Sequence, residues 1–208
     1  MKKKQNKNKT REFIDKRRPV SDKYYDLLER DSHCDEDVLA LIKKDPDFYD
    51  TYLYLANIYR NEDKNEKKAR KLENAAFRRA LARTKDKNGN WPDELRWGFL
   101  ENRHIIRALN AGADNFWKDK KTEKALAIYR KLFHSNLNDN IGARYAIIAL
   151  RMGLAYDEYM RQVWPQPTVL ADYIDAWFRK NAPKFPEELE EWKRYCKTEL
   201  DLREEDLI

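Results

Sequence analysis

The chain has 208 residues, enough for one domain that buries a sizeable core. Apolar residues make up 41% and charged residues 38%, which fits a folded protein with much of its surface in water. The net charge of +6 is local: residues 1–18 hold nine Lys or Arg and two Asp or Glu, and the remainder is close to neutral.

Two cysteines, Cys34 and Cys196, cannot build a disulfide framework, so a reduced, cytoplasmic setting is expected. No apolar run approaches the length needed to cross a membrane, and no membrane partner is expected. The basic start has no apolar stretch behind it, so no secretory signal is expected. Only five Gly are present, and Asn88-Gly89, the one hairpin dipeptide, has polar flanks. The fold class is therefore all-α.

Residues 1–20 read as a basic disordered arm, bounded by Pro19. Its field can attract nucleic acid or anionic lipid, or simply keep the chain soluble. Ser21 or Asp22 can cap a helix carrying Tyr24, Tyr25, Leu27 and Leu28. A short helix over 35–43 places Val38, Leu39, Leu41 and Ile42 together and ends before Asp45-Pro46.

A first helical hairpin spans about 48–84, with its turn at 61–65. Tyr52, Leu55, Ala56 and Tyr59 line one helix; Ala69, Leu72, Ala76 and Phe77 line the other. Residues 85–90 form an exposed loop, and Trp91-Pro92-Asp93 predicts the start of another helical segment. The second hairpin begins near Asp93 or Arg103 and runs to Asn136. Leu109, Ala113 and Phe116 share a face, a polar turn follows at 118–121, and Thr122 caps a helix with Ala125, Tyr129 and Leu132 inward. Ala113 and Ala125 are small enough for close helix approach.

Residues 140–152 predict the first helix of a third repeat, with Ala143, Ala146, Ile147 and Leu150 stacking on the second, and 157–163 its partner. Asn138-Asp139-Asn140 suits helix capping, Gly142 allows close packing, and Tyr145 should lie against the previous hairpin. Pro165 and Pro167 interrupt. A helix over 168–180 turns Leu170, Tyr173, Ile174, Trp177 and Phe178 inward, and after Pro183 a last helix over 186–202 carries Leu189, Trp192, Tyr195 and Cys196. The chain divides into the arm (1–20), helical repeats (21–164) and C-terminal capping helices (165–208). The two terminal Trp-bearing helices can cap a monomer or pair across a dimer.

The order Leu109, Ala113, Phe116, turn, Ala125, Tyr129, Leu132 resembles the tetratricopeptide repeat, without its closing Pro. Asp45-Pro46-Asp47-Phe48 with Tyr52, Leu55, Ala56 and Tyr59 resembles the start of another copy. The runs WGFLENRHIIRAL (97–109) and NDNIGARY (138–145) are similar to those of a subset of bacterial tetratricopeptide proteins, and to runs in proteins like suppression-of-tumorigenicity protein 7. The resemblance covers about 40–155. It implies a right-handed superhelical array with capping helices that binds a peptide or protein in its concave groove, and it implies no reaction.

On that frame the groove residues are Asn57 and Arg60 from the first repeat, with Asp50, Leu53 and Asn61 beside them. The second presents Arg107, Asn110, Asp114, Trp117 and Lys118; the third adds Arg144, Arg151 and Met152. Trp117 is either an affinity anchor or covered by a neighbouring helix. The three arginines either hold a carboxylate or phosphate, or pair within the repeats with Glu101, Asp114 or Asp139. Tetratricopeptide adaptors that hold a C-terminal carboxylate use a Lys where this chain has Leu53, a departure from that subclass.

No catalytic constellation is visible. His33-Cys34 sits among acids with no second Cys or His at ligand spacing and reads as a solvated turn. His104 and His134 are isolated, and no phosphate loop, dinucleotide fingerprint or Ser-His-Asp pattern occurs. The expected function is a non-enzymatic scaffold that binds a protein or peptide without metal or cofactor. The alternative is nucleic-acid contact through residues 1–18.

Overall fold

The computed structural model describes residues 10–16, 20–29, 35–163 and 171–203. These form ten α-helices and no sheet: α1 (Ser21–Leu28), α2 (Asp35–Lys44), α3 (Asp50–Asn61), α4 (Glu66–Thr84), α5 (Leu100–Lys118), α6 (Thr122–His134), α7 (Ala143–Arg151), α8 (Tyr156–Val163), α9 (Ala171–Asn181) and α10 (Glu190–Glu199). Two short 3-10 turns, Ala182–Lys184 and Pro186–Glu188, carry the chain past Pro183 and Pro186. The calls on His33, Cys34, Pro165, Pro167 and Leu170 lie outside the described residues.

From α3 to α7 each helix packs on the next. The short turns between packed partners make the pairs α3–α4 and α5–α6 antiparallel. Lys64 and Lys120 adopt positive φ in those turns, and Asn65 caps α4 by accepting from the Lys68 amide. The main core runs along these contacts through Ala76, Phe77, Ile105, Leu109, Ala125 and Leu132. Gly112 marks the closest approach: a Cβ there would meet the Phe77 side chain at 2.1 Å.

Four expectations change. Residues 10–16 are not a free arm. The Phe13 amide donates to Glu94 O, the Asp93 amide donates to Arg11 O, and the Arg11 guanidinium bonds the carbonyls of Thr84 and Asn90. Residues 91–99 form no helix; Glu94 makes an isolated β-bridge to Glu12 of that segment, and Leu95 is buried with its amide bonded to Ser135 O.

Tyr145 also meets Phe178 of α9 edge-on, with ring centroids 5.2 Å apart, while sharing the core that holds the α5–α6 residues. Tyr173 faces water, whereas Trp177, Phe178 and Trp192 are buried against the chain itself. α9 and α10 thus pack these buried aromatic residues into the main core. α8 rests on α5 as well as on α7 and α9, so the third pair is not a plain copy of the first two.

A buried node ties the N-terminal segment to the hairpins. Asp15 pairs with Arg83 at 2.7 Å, and its carboxylate lies 3.3 Å from His104 Nε2. His104 Nδ1 accepts from the Tyr49 amide at 3.1 Å, so the ring hydrogen is on Nε2. His104 is buried and holds the Tyr49 amide through Nδ1, so it acts as a strut; its Nε2 stands near Asp15 but makes no hydrogen bond among the described residues.

Candidate binding groove

α5 carries the candidate groove residues. Arg103, Arg107, Asn110 and Asp114 recur at helical spacing, within an arc of about 60° and along about 16 Å of its axis. Helix α3 supplies one wall near Arg107; α1 adds a second wall that sequence reasoning left out.

At the Arg103 end, α1, α3 and α5 enclose a cavity of about 580 Å³. Its apolar wall includes Tyr25, Leu28, Leu53 and Leu100, and Leu100 is 53% exposed. Arg107 is bound to Asp50, with Nε 2.8 Å from the carboxylate. Arg103 differs. It donates from Nε to Trp97 O at 3.1 Å and lies over the Trp97 ring at 5.2 Å, and no carboxylate holds it among the described residues. Among the described residues its guanidinium is a cation without a counter-charge, beside an exposed apolar wall.

At the other end a smaller cavity of about 200 Å³ surrounds Asp114. Tyr129 donates its hydroxyl to Asp114 Oδ1, and Asn110 Nδ2 stands 3.4 Å from Oδ2. Burial pushes the Asp114 pKa up to about 6, against the pull of Tyr129 and Lys118. Tyr156, Tyr159 and Met160 of α8 close the space.

The remaining predicted groove residues separate into three groups. Asn57 is exposed and accepts from Asn61, and Arg60 is spent on Glu66 and Glu73 at 2.7 and 2.8 Å. Lys118 is exposed at the rim, with Nζ 4.6 Å from the Tyr156 ring centroid. Trp117, Arg144 and Arg151 are committed to contacts within the fold.

Trp117 is only 3% exposed; its Nε1 donates to Leu154 O at 2.9 Å, so it is no groove anchor. Phe116, read as the core residue, is the more accessible of the two, because the C-terminal end of α5 turns Trp117 under α8. Arg144 pairs with Asp139 at 3.0 Å and stands over the rings of Tyr145, Phe178 and Trp192. Arg151 reaches Glu187 and Glu188, and Arg130 also holds Glu188. These arginines tie the C-terminal segment to α6 and α7.

Sequence reasoning missed Arg103, although counting back four residues from Arg107 finds it on the same face. It also missed Tyr156 and Tyr159 as neighbours of Asp114, because nothing local in the sequence shows that α8 crosses α5. Among the described residues no group of His, Cys, Asp and Glu is placed to hold a metal ion. No described helix is long and apolar enough to cross a membrane. The sequence matches no family model, and neither a curated protein nor a solved structure matches it.

Proposed function

We propose that this chain is a non-enzymatic interaction module whose hairpins form a tetratricopeptide-like right-handed array and hold a segment of a partner protein along α5. The observation that carries this reading is Arg103, a cation with no carboxylate partner among the described residues, beside the exposed Tyr25, Leu28 and Leu100. A peptide with an acidic residue next to apolar ones supplies both missing contacts. Arg103 is held by Trp97 before binding, which lowers the ordering cost. The free, buried thiol of Cys196 accords with a reducing, cytoplasmic setting.

The nucleic-acid reading gains less support, since Arg11, one of the arm's cations, is already bonded to Thr84 and Asn90 carbonyls.

Selection from a random peptide library on the purified chain tests the groove. Enriched peptides should carry Asp or Glu beside Leu, Ile or an aromatic residue, and Arg103→Glu should remove them while circular dichroism stays unchanged. Enrichment that survives Arg103→Glu would reject the site.

A further inference from the structure

We propose that the cavity around Asp114 is a binding site for an alkylammonium head, from a lysine side chain or a small quaternary amine. It is separate from the Arg103 pocket and does not depend on a peptide lying there.

The walls have the composition such a cation needs. Tyr129 on α6 and Tyr156 and Tyr159 on α8 line the space. Trp117 fixes all three: its ring stacks on Tyr159 at 4.8 Å and meets Tyr156 and Tyr129 edge-on at 5.6 and 6.2 Å. Aromatic faces attract a cation through the negative potential of the ring. One of these rings already does so, since Lys118 Nζ lies 4.6 Å from the Tyr156 centroid. The cavity of about 200 Å³ has room for several molecules of water size, at about 30 Å³ each. Met160, partly exposed, stands at its mouth.

Asp114 supplies the charge. No cation pairs with it among the described residues, Lys118 included. A carboxylate in such surroundings is left without the neutralisation that a buried charge requires. The geometry favours an ammonium over a bidentate guanidinium. Oδ1 already accepts the Tyr129 hydroxyl, while Oδ2 has only a long 3.4 Å contact from Asn110 and is the freer of the two. An arginine fork wants both oxygens, whereas an ammonium is a point charge satisfied by one.

Binding should follow the ionisation of Asp114, whose pKa stands at about 6. The facing groups are Glu73 on α4, paired with Arg60; Tyr129 on α6; Tyr156 and Tyr159 on α8; and Lys118 on α5 itself. α7 presents no charged group to the cavity. A cation needs the ionised carboxylate, so affinity is high above pH 6 and falls below it.

The test is calorimetric and NMR titration of the full chain with tetramethylammonium chloride, N-acetyl-lysine methylamide and its trimethylated form. The neutral isostere 3,3-dimethylbutanol is the control. Saturable binding of at least one cation is expected at pH 7.5, weakened roughly tenfold at pH 5 and at least tenfold in Asp114→Asn. Tighter binding of the lysine amides than of tetramethylammonium assigns the site to a peptide side chain; the reverse assigns it to a small amine. Tyr156→Leu keeps the charge and should weaken every cation. Equal binding of the neutral isostere, no effect of Asp114→Asn, or no saturable binding would overturn the proposal. None of these outcomes bears on Arg103, so failure here leaves the peptide reading standing.

Discussion

Trp117 and Tyr159 stack with ring centroids 4.8 Å apart and so fasten α8 to the C-terminal end of α5. A tryptophan beside a polar turn looks like a surface anchor in the sequence, but here it holds two helices together. Trp117→Ala should cost about 3–5 kcal/mol in urea unfolding, the range for truncating a large buried aromatic. A loss below about 1 kcal/mol would mean that α8 does not rest there.

Gly112 and Phe77 set the spacing of α4 and α5. A methyl group at Gly112 would lie 2.1 Å from the Phe77 ring and 2.8 Å from its Cβ, so the helices must part. Gly112→Ala should destabilise by about 2 kcal/mol, despite the better helix propensity of Ala. Gly112→Ala combined with Phe77→Leu should recover part of that loss, as judged from unfolding midpoints.

Asp139 accepts from the amides of Ala143 and Arg144 at 2.6 and 3.1 Å, and from the Arg144 guanidinium at 3.0 Å. It is buried and sits at positive φ, which Asp and Asn tolerate better than Ala. Asp139→Ala removes a cap and leaves Arg144 half-buried without its carboxylate, at an expected cost of about 3 kcal/mol. Asp139→Asn keeps the cap and the backbone preference and should lose less. Equal losses in the two variants would show that the charge, not the cap, dominates.

Asp114 and Glu188 respond to acid in opposite directions. Burial raises the pKa of Glu188, but the bonds from Arg130 and Arg151 outweigh it and hold the value below the usual carboxylate range. Its contribution is therefore full above its unfolded pKa and lost as pH falls through the lower folded value. Asp114 is raised, so the folded state binds its proton more tightly than the unfolded state, and stability falls as pH rises through about 4–6. Asp114→Asn should then raise stability at pH 7 and lose that advantage by pH 4. Glu188→Gln should be destabilising at pH 7 and nearly neutral in strong acid. Unfolding curves across pH 3–8 measure both; the same sign for the two variants would contradict the assigned environments.

The helices were legible because apolar residues recur at helical spacing between polar turns. The Asp139 cap was legible for the same local reason. What the sequence hid is what distant segments do to each other. Residues 10–16 read as part of a basic arm, yet Phe13 and Asp15 find partners in Glu94, Asn102 and Arg83. Trp91-Pro92-Asp93 has the pattern of a helix start, but the Asp93 carboxylate takes the Arg11 amide and the run forms no helix. Trp117 bonds a carbonyl 37 residues further on, a contact that periodicity cannot reveal. Of the groove, the face bearing Arg107, Asn110 and Asp114 was readable from spacing. Whether each arginine was already paired was not, because the partners Asp50, Glu187 and Glu188 come from other helices.

The central claim is that α5 presents a peptide groove whose open end is Arg103. The direct measurement is amide chemical-shift mapping of the isotope-labelled chain with a peptide bearing Asp or Glu beside Leu. The account predicts saturable shifts at Leu28, Leu53, Leu100, Arg103 and Arg107, absent in Arg103→Glu. Shifts confined to other faces, or unchanged in that variant, would contradict it.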